Sequence, residues 1–490
     1  MKLLFTYIFL VLSINFCCGQ KKDPIVKGSI ANYAGQSISL YQCYADTLLF
    51  VDSMLVGTKG EFTFSDQTFS NFSKKEGKSN EGLYKVLLKQ NQFFYILYDG
   101  RSIEIKTLYK PHAFSNIASD SLVVLKSDDN KRFYEFQNFQ QQVNMAKYWL
   151  LQMMRLYPLH DPFHKQIEDE YSKRYNALDK FVRSQIPKRA GSQKIVTKSL
   201  ATKLALAYYQ PVDPDWKQPD PWRDSIIALH YFDYFDPSDS FYLHTNILPE
   251  KMDLYFAMRI NKRDGFGQPV NDENLLTSAQ QDFLEKAKPN QENFEFCLNY
   301  LLKKYNKEHK DNNFLFLYDR YLKTEQQSCK PSTNRFNWAR ERASVLRGVQ
   351  MGSVAPNFTI MEGQLNLYQI PAEYTLLVFW ASWCPHCAEE IPRVKKIIES
   401  LPNKQKEKNL TAIFVSLDNE EKSWKEFIDK NGLSGFMHLC EFKGWNGQIV
   451  KNYNVYATPS MFLLDKEKKI IAKPETTEQL TNVLTDSMKK

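Results

Sequence analysis

The stretch A381-S-W-C-P-H-C-A-E-E-I-P392 carries two cysteines separated by two residues, with a Trp ahead of them and a Pro between them. It follows T375-L-L-V-F-W380, an apolar run of strand character, and leads into Ile391, Val394, Ile397, Ile398 and Leu401 on one helical face. A strand therefore hands over to a helix at the cysteine pair. That places Cys384 at the N-cap, Pro385 at the first helical position and Cys387 near the third. Proline suits the first position because the N–H it lacks would be unpaired there anyway. Pro392 lies deeper in the helix, where it removes one hydrogen bond and should kink the axis.

Three chemistries compete for such a pair. A zinc site needs two further ligands at matching spacing, but Cys440 stands alone and the nearest histidines, His386 and His438, are not in paired motifs. No metal and no cofactor is expected. A structural disulfide closing a two-residue loop at a strand–helix junction would constrain almost nothing. Redox work fits best. At an N-cap a thiolate meets free backbone N–H groups and the positive end of the helix dipole, so Cys384 should ionise well below the ~8.5 of a free thiol. Cys387, one turn inward on the same side, is placed to resolve a mixed disulfide. His386 sits between them, where its imidazolium or N–H can stabilise the thiolate and make the disulfide a stronger oxidant.

The remainder of the chain frames this site. At 490 residues it exceeds a single compact core, and about three domains are expected. With 43% hydrophobic residues, 34 Phe and 27 Tyr, it has material for several cores, which excludes global disorder. The formal charge of +8 is spread over 64 basic and 56 acidic residues and gives no support to nucleic-acid binding. The N-terminus, M1-K-L-L-F-T-Y-I-F-L-V-L-S-I-N-F-C-C-G-Q20, has one Lys, a short apolar run and small residues before Lys21-Lys22-Asp23, the anatomy of an export signal over residues 1–19. Two endings fit: cleavage after Gly19, or lipid attachment at Cys17 or Cys18. The protein is thus expected in the periplasm or cell envelope, soluble or lipid-anchored. Its eight cysteines are too sparse for a disulfide scaffold. Cys43, Cys297, Cys329 and Cys440 read as buried thiols, with a Cys297–Cys329 bridge and a redox role for Cys440 as the alternatives.

Residues 24–127 show strand-like segments broken by turns, including I25-V-K-G-S-I30, S37-I-S-L-Y41, G60-E-F-T-F64, Y84-K-V-L-L88, F93-F-Y-I-L-Y98 and S102-I-E-I-K106. They predict a small antiparallel β-sandwich. Residues 128–345 change to amphipathic helices, beginning with Phe133, Phe136, Phe139, Val143, Ala146 and Leu150 and recurring over 165–186, 193–210, 223–235, 249–260, 277–287, 291–306 and 313–325. Residues 349–490 alternate strands (376–380, 411–417, 461–465, 469–472) with helices (385–401, 421–431, 446–453, 476–488), predicting a partly parallel sheet covered on both faces. The fold class is multidomain: β-sandwich, mainly helical middle, α/β C-terminus.

The motif W383-C-P-H-C387-A-E-E-I-P392, together with N454-V-Y-A-T-P-S-M-F-L-L-D465, resembles the TlpA/ResA branch of the thioredoxin superfamily over the C-terminal region. The resemblance implies a thioredoxin-like fold in which Pro459 is cis, faces the cysteine pair and presents the backbone of Thr458 to an extended substrate. It implies a redox disulfide Cys384–Cys387, a substrate surface formed by Trp383, Pro385, His386, Thr458 and Pro459, and Glu390 as an acidic residue near the buried thiol, suited to proton transfer. The preceding regions resemble, more loosely, modules ahead of this domain in Bacteroidetes envelope proteins, through H230-Y-F-D-Y-F-D-P-S-D239 and L248-P-E-K-M-D-L-Y-F256. The Pro-His dipeptide resembles that of a disulfide oxidant, whereas the branch is generally reducing. The expected activity is thiol–disulfide exchange with protein thiols or disulfides, with the pair regenerated by a membrane-linked redox partner. The alternative is a surface protein binding a peptide or glycan with the C-terminal domain as scaffold. A peroxidase fits poorly, since Ala381 stands where peroxiredoxins place Thr or Ser.

Overall fold

The computed structural model describes residues 25–185, 197–262, 268, 273–323, 335–360, 365–401 and 410–489. Residues 1–24 with Cys17 and Cys18, Cys329 and the start of the helix expected over 193–210 lie outside them. The chain divides into two compact units, the first ending at Leu298 and the second starting at Asn299.

In the first unit, strands β1 (Ile25–Ala31), β2 (Ser37–Tyr44), β3 (Thr47–Leu55) and β4 (Glu61–Ser65) precede helix α1 (Asp66–Glu76). β5 (Gly82–Leu87), β6 (Phe93–Tyr98), β7 (Ile103–Leu108), a single helical turn α2 (Ile117–Asp120) and β8 (Val123–Lys126) follow. They form two four-stranded sheets, ordered β4-β1-β7-β8 and β3-β2-β5-β6, which share a core containing Val26, Phe62, Phe64, Val86, Phe94, Ile96 and Ile105. One feature corrects the antiparallel expectation: β1 and β7 are parallel, with Val26 opposite Ile103 and Ala31 opposite Leu108. Between them the chain crosses to the other sheet and returns, so β7 re-enters beside β1 in the same direction, and a parallel pair needs such a crossover. Helix α1 was also not foreseen, because its sequence DQTFSNFSKKE is polar apart from Phe69 and Phe72. Those two rings are buried, and Phe69 stacks on Tyr98 at 3.9 Å between centroids.

The helices of this unit are α3 (Asp128–Leu156), α4 (Pro162–Gln185), α5 (Leu200–Tyr208), α6 (Asp220–Leu229), α7 (Ile247–Ile260), α8 (Glu273–Ala287) and the start of α9 (Gln291–Lys307). α6 stops at Leu229 rather than near 235. Beyond it Tyr231 and Phe235 turn into an aromatic cluster, with rings 5.1 Å from Tyr255 and 4.9 Å from Tyr242 respectively.

The first turns of α3 finish the sandwich. β6 is the last strand of its sheet, and an unpaired edge carries orphan N–H and C=O groups. Here the buried Asn130 amide accepts from Leu97 N at 2.8 Å and donates to Leu97 O at 2.8 Å. Two residues away along the strand, Tyr134 Oη donates to Tyr95 O at 2.7 Å and accepts from Tyr95 N at 3.2 Å. Its neighbour Asp129, also buried, accepts from Ser199 Oγ at 2.7 Å and Leu200 N at 2.9 Å, capping α5. Asn130→Ala leaves two buried backbone groups of Leu97 unpaired and should destabilise this unit by roughly 2–4 kcal/mol, read as a lowered denaturant midpoint.

In the second unit α10 (Asp311–Tyr321) and α11 (Asn337–Gly348) precede a short hairpin, β9 (Thr359–Ile360) and β10 (Leu365–Asn366). β11 (Tyr374–Trp380), α12 (Pro385–Ser400), β12 (Leu410–Ser416), α13 (Glu421–Lys430), β13 (Met437–Cys440), α14 (Gln448–Asn452), β14 (Ser460–Leu464), β15 (Ile470–Ala472) and α15 (Thr477–Lys489) follow. The five-stranded sheet runs β13-β12-β11-β14-β15. β12 pairs parallel with β11 and β13, and β14 pairs antiparallel with β11 and β15. Every residue of β11 from Thr375 to Trp380 is buried, as a central strand covered on both faces requires. α12 continues through Pro392 to Ser400. α11 escaped the sequence reading because two of its three buried positions are alanines, Ala339 and Ala343, with Leu346 the third.

Candidate redox site

β11 ends at Trp380, and the next four residues carry the chain to the start of α12. Cys384 is the N-cap of that helix, with Pro385 at its first position. Its Sγ accepts from the Cys387 backbone N–H at 3.4 Å and lies 3.3 Å from the Thr458 carbonyl oxygen, to which the thiol donates. The Thr458–Pro459 bond is cis, and this short segment leads directly into β14. Topology brings the two together: β14 lies next to β11 and antiparallel to it, so the start of one strand meets the end of the other, with Ser460 opposite Phe379.

The two sulfurs differ in acidity. Burial raises the Cys384 pKa, but hydrogen bonding from the Thr458 side chain, the Cys387 thiol and the backbone N–H groups of Cys387 and His386 outweighs it, and the net shift is downward. Cys387 is fully buried, and burial together with the neighbouring Cys384 pushes its thiol up to about 12. The two sulfurs are not bridged in this structure. The outer sulfur is thus the more acidic of the two, and the inner one is the harder to ionise.

The other expected site residues are distributed around this pair. Trp383 is exposed and meets Trp445 edge-on at 6.2 Å between centroids. Pro385 and His386 are exposed, and His386 bears on Cys384 through its backbone N–H. Glu390, one turn beyond Cys387 on α12, is ion-paired with Arg393 at 2.6 Å. Cys440 ends β13, half-buried, with its thiol donating to Asp418 O at 3.4 Å.

Sequence reasoning missed the anchor of the loop before Cys384. Asp418, 1% exposed, accepts from Ser382 N at 3.1 Å, Ser382 Oγ at 2.5 Å and Ser416 Oγ at 2.6 Å. A carboxylate buried just past the end of a central parallel strand grips the residue two before Cys384. The signal was present in V415-S-L-D418, where an acidic residue follows a largely apolar strand at the carboxyl end of a parallel sheet, the end at which α/β sites form.

A five-stranded α/β sheet, a dithiol at a helix N-terminus and a facing cis-proline define a thioredoxin-like thiol–disulfide oxidoreductase. Residues 372–470 match the Thioredoxin-like family. The thiol-disulfide oxidoreductase ResA of Bacillus thuringiensis subsp. konkukian is 31% identical over 142 residues, 28% of this chain and 78% of that protein. The sporulation thiol-disulfide oxidoreductase A of Bacillus subtilis is 31% identical over 109 residues, 22% of this chain and 63% of that protein. Among solved structures, the thioredoxin domain of a thiol-disulfide oxidoreductase from Bacteroides vulgatus is 29% identical, covering 28% of this chain and 98% of that one with a TM-score of 0.26. The chain belongs to the ResA/TlpA-like thiol–disulfide oxidoreductases.

The unequal thiols set a pH profile. Because the Cys384 pKa is lowered, its thiolate fraction at pH 7 exceeds that of a free cysteine, and alkylation by iodoacetamide should select Cys384 at pH 6–7. Cys387 should resist until the pH approaches 12. Mass spectrometry of the alkylated peptides checks both. Asp418→Ala leaves the Ser382 N–H and hydroxyl without their acceptor and should lower stability by about 2–4 kcal/mol, measured by denaturant unfolding.

Proposed function

We propose that this chain is an exported thiol–disulfide oxidoreductase of the cell envelope that exchanges electrons between the Cys384–Cys387 pair and protein substrates. The observation that carries the reading is the Cys384 sulfur, held between the first turn of α12 and the Thr458 carbonyl beside a cis-proline. Family membership supports the chemistry. The names of the relatives, thiol-disulfide oxidoreductases, support thiols and disulfides as the reacting groups. Export rests on the N-terminal signal-like segment, with a tether at Cys17 or Cys18 or cleavage after Gly19. No helix among the described residues is long and apolar enough to cross a membrane.

In the reducing direction the Cys384 thiolate attacks one sulfur of a substrate disulfide. A Cys384–substrate disulfide forms and the other substrate sulfur leaves as a thiolate. Cys387 then loses its proton and attacks Cys384 Sγ, releasing the second substrate thiolate and closing the Cys384–Cys387 disulfide. Two electrons have passed to the substrate, and a membrane-linked dithiol partner returns them. Oxidation of a substrate dithiol runs the same steps backwards. Glu390 is the carboxylate suited to accept the Cys387 proton, and Trp383, Pro385, His386, Thr458 and Pro459 form the surface that substrate covers.

The test is turnover. With dithiothreitol as reductant, the purified protein should accelerate reduction of insulin disulfides. Cys384→Ser should abolish the acceleration, and Cys387→Ser should accumulate a mixed disulfide visible on non-reducing gels. Full activity in Cys384→Ser overturns the proposal. A reduction potential near about −270 mV would mark a reductant and one near about −120 mV an oxidant. Mass spectrometry of the mature N-terminus separates cleavage after Gly19 from acylation at Cys17 or Cys18.

A further inference from the structure

The loop N454-V-Y-A-T-P459 carries Thr458 to Cys384, and residues far away in sequence hold it. Asn454 has a left-handed backbone, φ 52°, and its side-chain amide is clasped from both sides. Arg342 Nη2, from α11, donates to Asn454 Oδ1 at 2.6 Å, and Asn454 Nδ2 donates to Asp311 Oδ2, at the start of α10, at 2.8 Å. Arg342 and Asp311 also approach each other at 3.6 Å. Two residues further along the loop, the Tyr456 ring lies face to face with His309, from the turn between α9 and α10, at 3.9 Å between centroids and 13° between planes.

Both rings of that stack are exposed, and Tyr456 keeps 54% of its surface open. A tyrosine so open would ordinarily need no partner from a turn distant in the sequence. Its location gives the pair a use. Two peptide units separate Tyr456 from Thr458, so their Cα atoms are at most about 7.6 Å apart, and the Thr458 carbonyl touches the reactive sulfur. Trp383, the residue before Cys384, is exposed as well and meets the exposed Trp445 edge-on.

We infer that His309 and Tyr456 form a specificity wall of the substrate groove, taking an aromatic or aliphatic side chain that flanks the reacting cysteine of an extended polypeptide. The inference rests on the exchange activity proposed above. Ring faces attract other rings and apolar groups, and a stacked pair offers a broader, stiffer face than a lone tyrosine. His309 is thus a recognition residue contributed by the helical region, not by the strand-and-helix core that carries the cysteines.

The experiment uses the full chain and two synthetic peptides, each with one intramolecular disulfide, identical except for Phe or Ser two residues to either side of the reacting cysteine. Wild-type protein should show a kcat/KM about fivefold higher for the Phe peptide, the size of one ring contact, expressed in KM. His309→Ala and Tyr456→Ala should each erase that preference, the double variant should lose no more than either single one, and His309→Phe should restore it. Reaction with dithiothreitol should stay constant across the set. Equal rates on the two peptides for wild type, or a preference that survives in His309→Ala, would overturn this inference alone. A wild-type protein inert towards both peptides and dithiothreitol would instead sink the exchange activity on which it rests.

Discussion

Everything at this site depends on one sulfur being more stable charged than its surroundings would ordinarily permit. Burial opposes the thiolate, and hydrogen bonding from the Thr458 side chain and the Cys387 thiol, joined by the backbone N–H groups of the first turn of α12, reverses the balance. The dipole alone would act on any residue at that position. What makes the effect usable is that Cys384 is the N-cap, with its sulfur already within reach of the Cys387 N–H. The loop that delivers it is fixed by the buried Asp418 on one side and closed by Thr458 on the other. For Cys387 the hydrogen bonding from Ala381 and Thr458 is outweighed. It lies inside the same turn, fully buried and beside the Cys384 sulfur, and its acidity moves the opposite way.

The redox centre was the most legible part of the sequence because a strand, an N-cap, a proline and a helical stripe occur consecutively over residues 375–401 and all agree. The α/β sheet followed from the same consistency: its inner strands carry short apolar runs, L376-L-V-F-W380 and I413-F-V415, that read as buried strands. The Thr458–Pro459 segment was reached only by resemblance, since nothing local to N454-V-Y-A-T-P459 announces a partner 74 residues earlier in the chain. Asp418 went unnoticed for a related reason. A single acidic residue after a strand looks like a solvated strand end until the backbone folds over it.

One helix of each unit shows where periodicity loses information. Helices α1 and α11 bury few side chains, phenylalanines three apart in one and alanines in the other, and neither makes a stripe against a polar background. Strand direction is a separate matter. Alternation reports which face a residue takes and says nothing about which neighbour its strand will choose, so the parallel β1–β7 pairing could not be read from hydrophobicity. His386 is an instructive case on a smaller scale. The sequence suggests a role for its imidazolium or N–H, and its backbone N–H is one of the groups that lower the Cys384 pKa.

The side chains that close β6 have a consequence for how the first unit is built. A sheet normally ends in solvent or against another strand, but this one ends on the amide of Asn130 and the phenol of Tyr134, both on α3. The peptide joining Ser127 to Asp128 looks like a seam between a β module and a helical module. It is instead the shortest link in a hydrogen-bonded ladder that starts in strands and finishes in a helix. Gene fusion, truncation or proteolysis at that point would not release two intact modules. It would leave a sheet with an open, adhesive margin, and the inherited unit is the strands together with the helix that seals them.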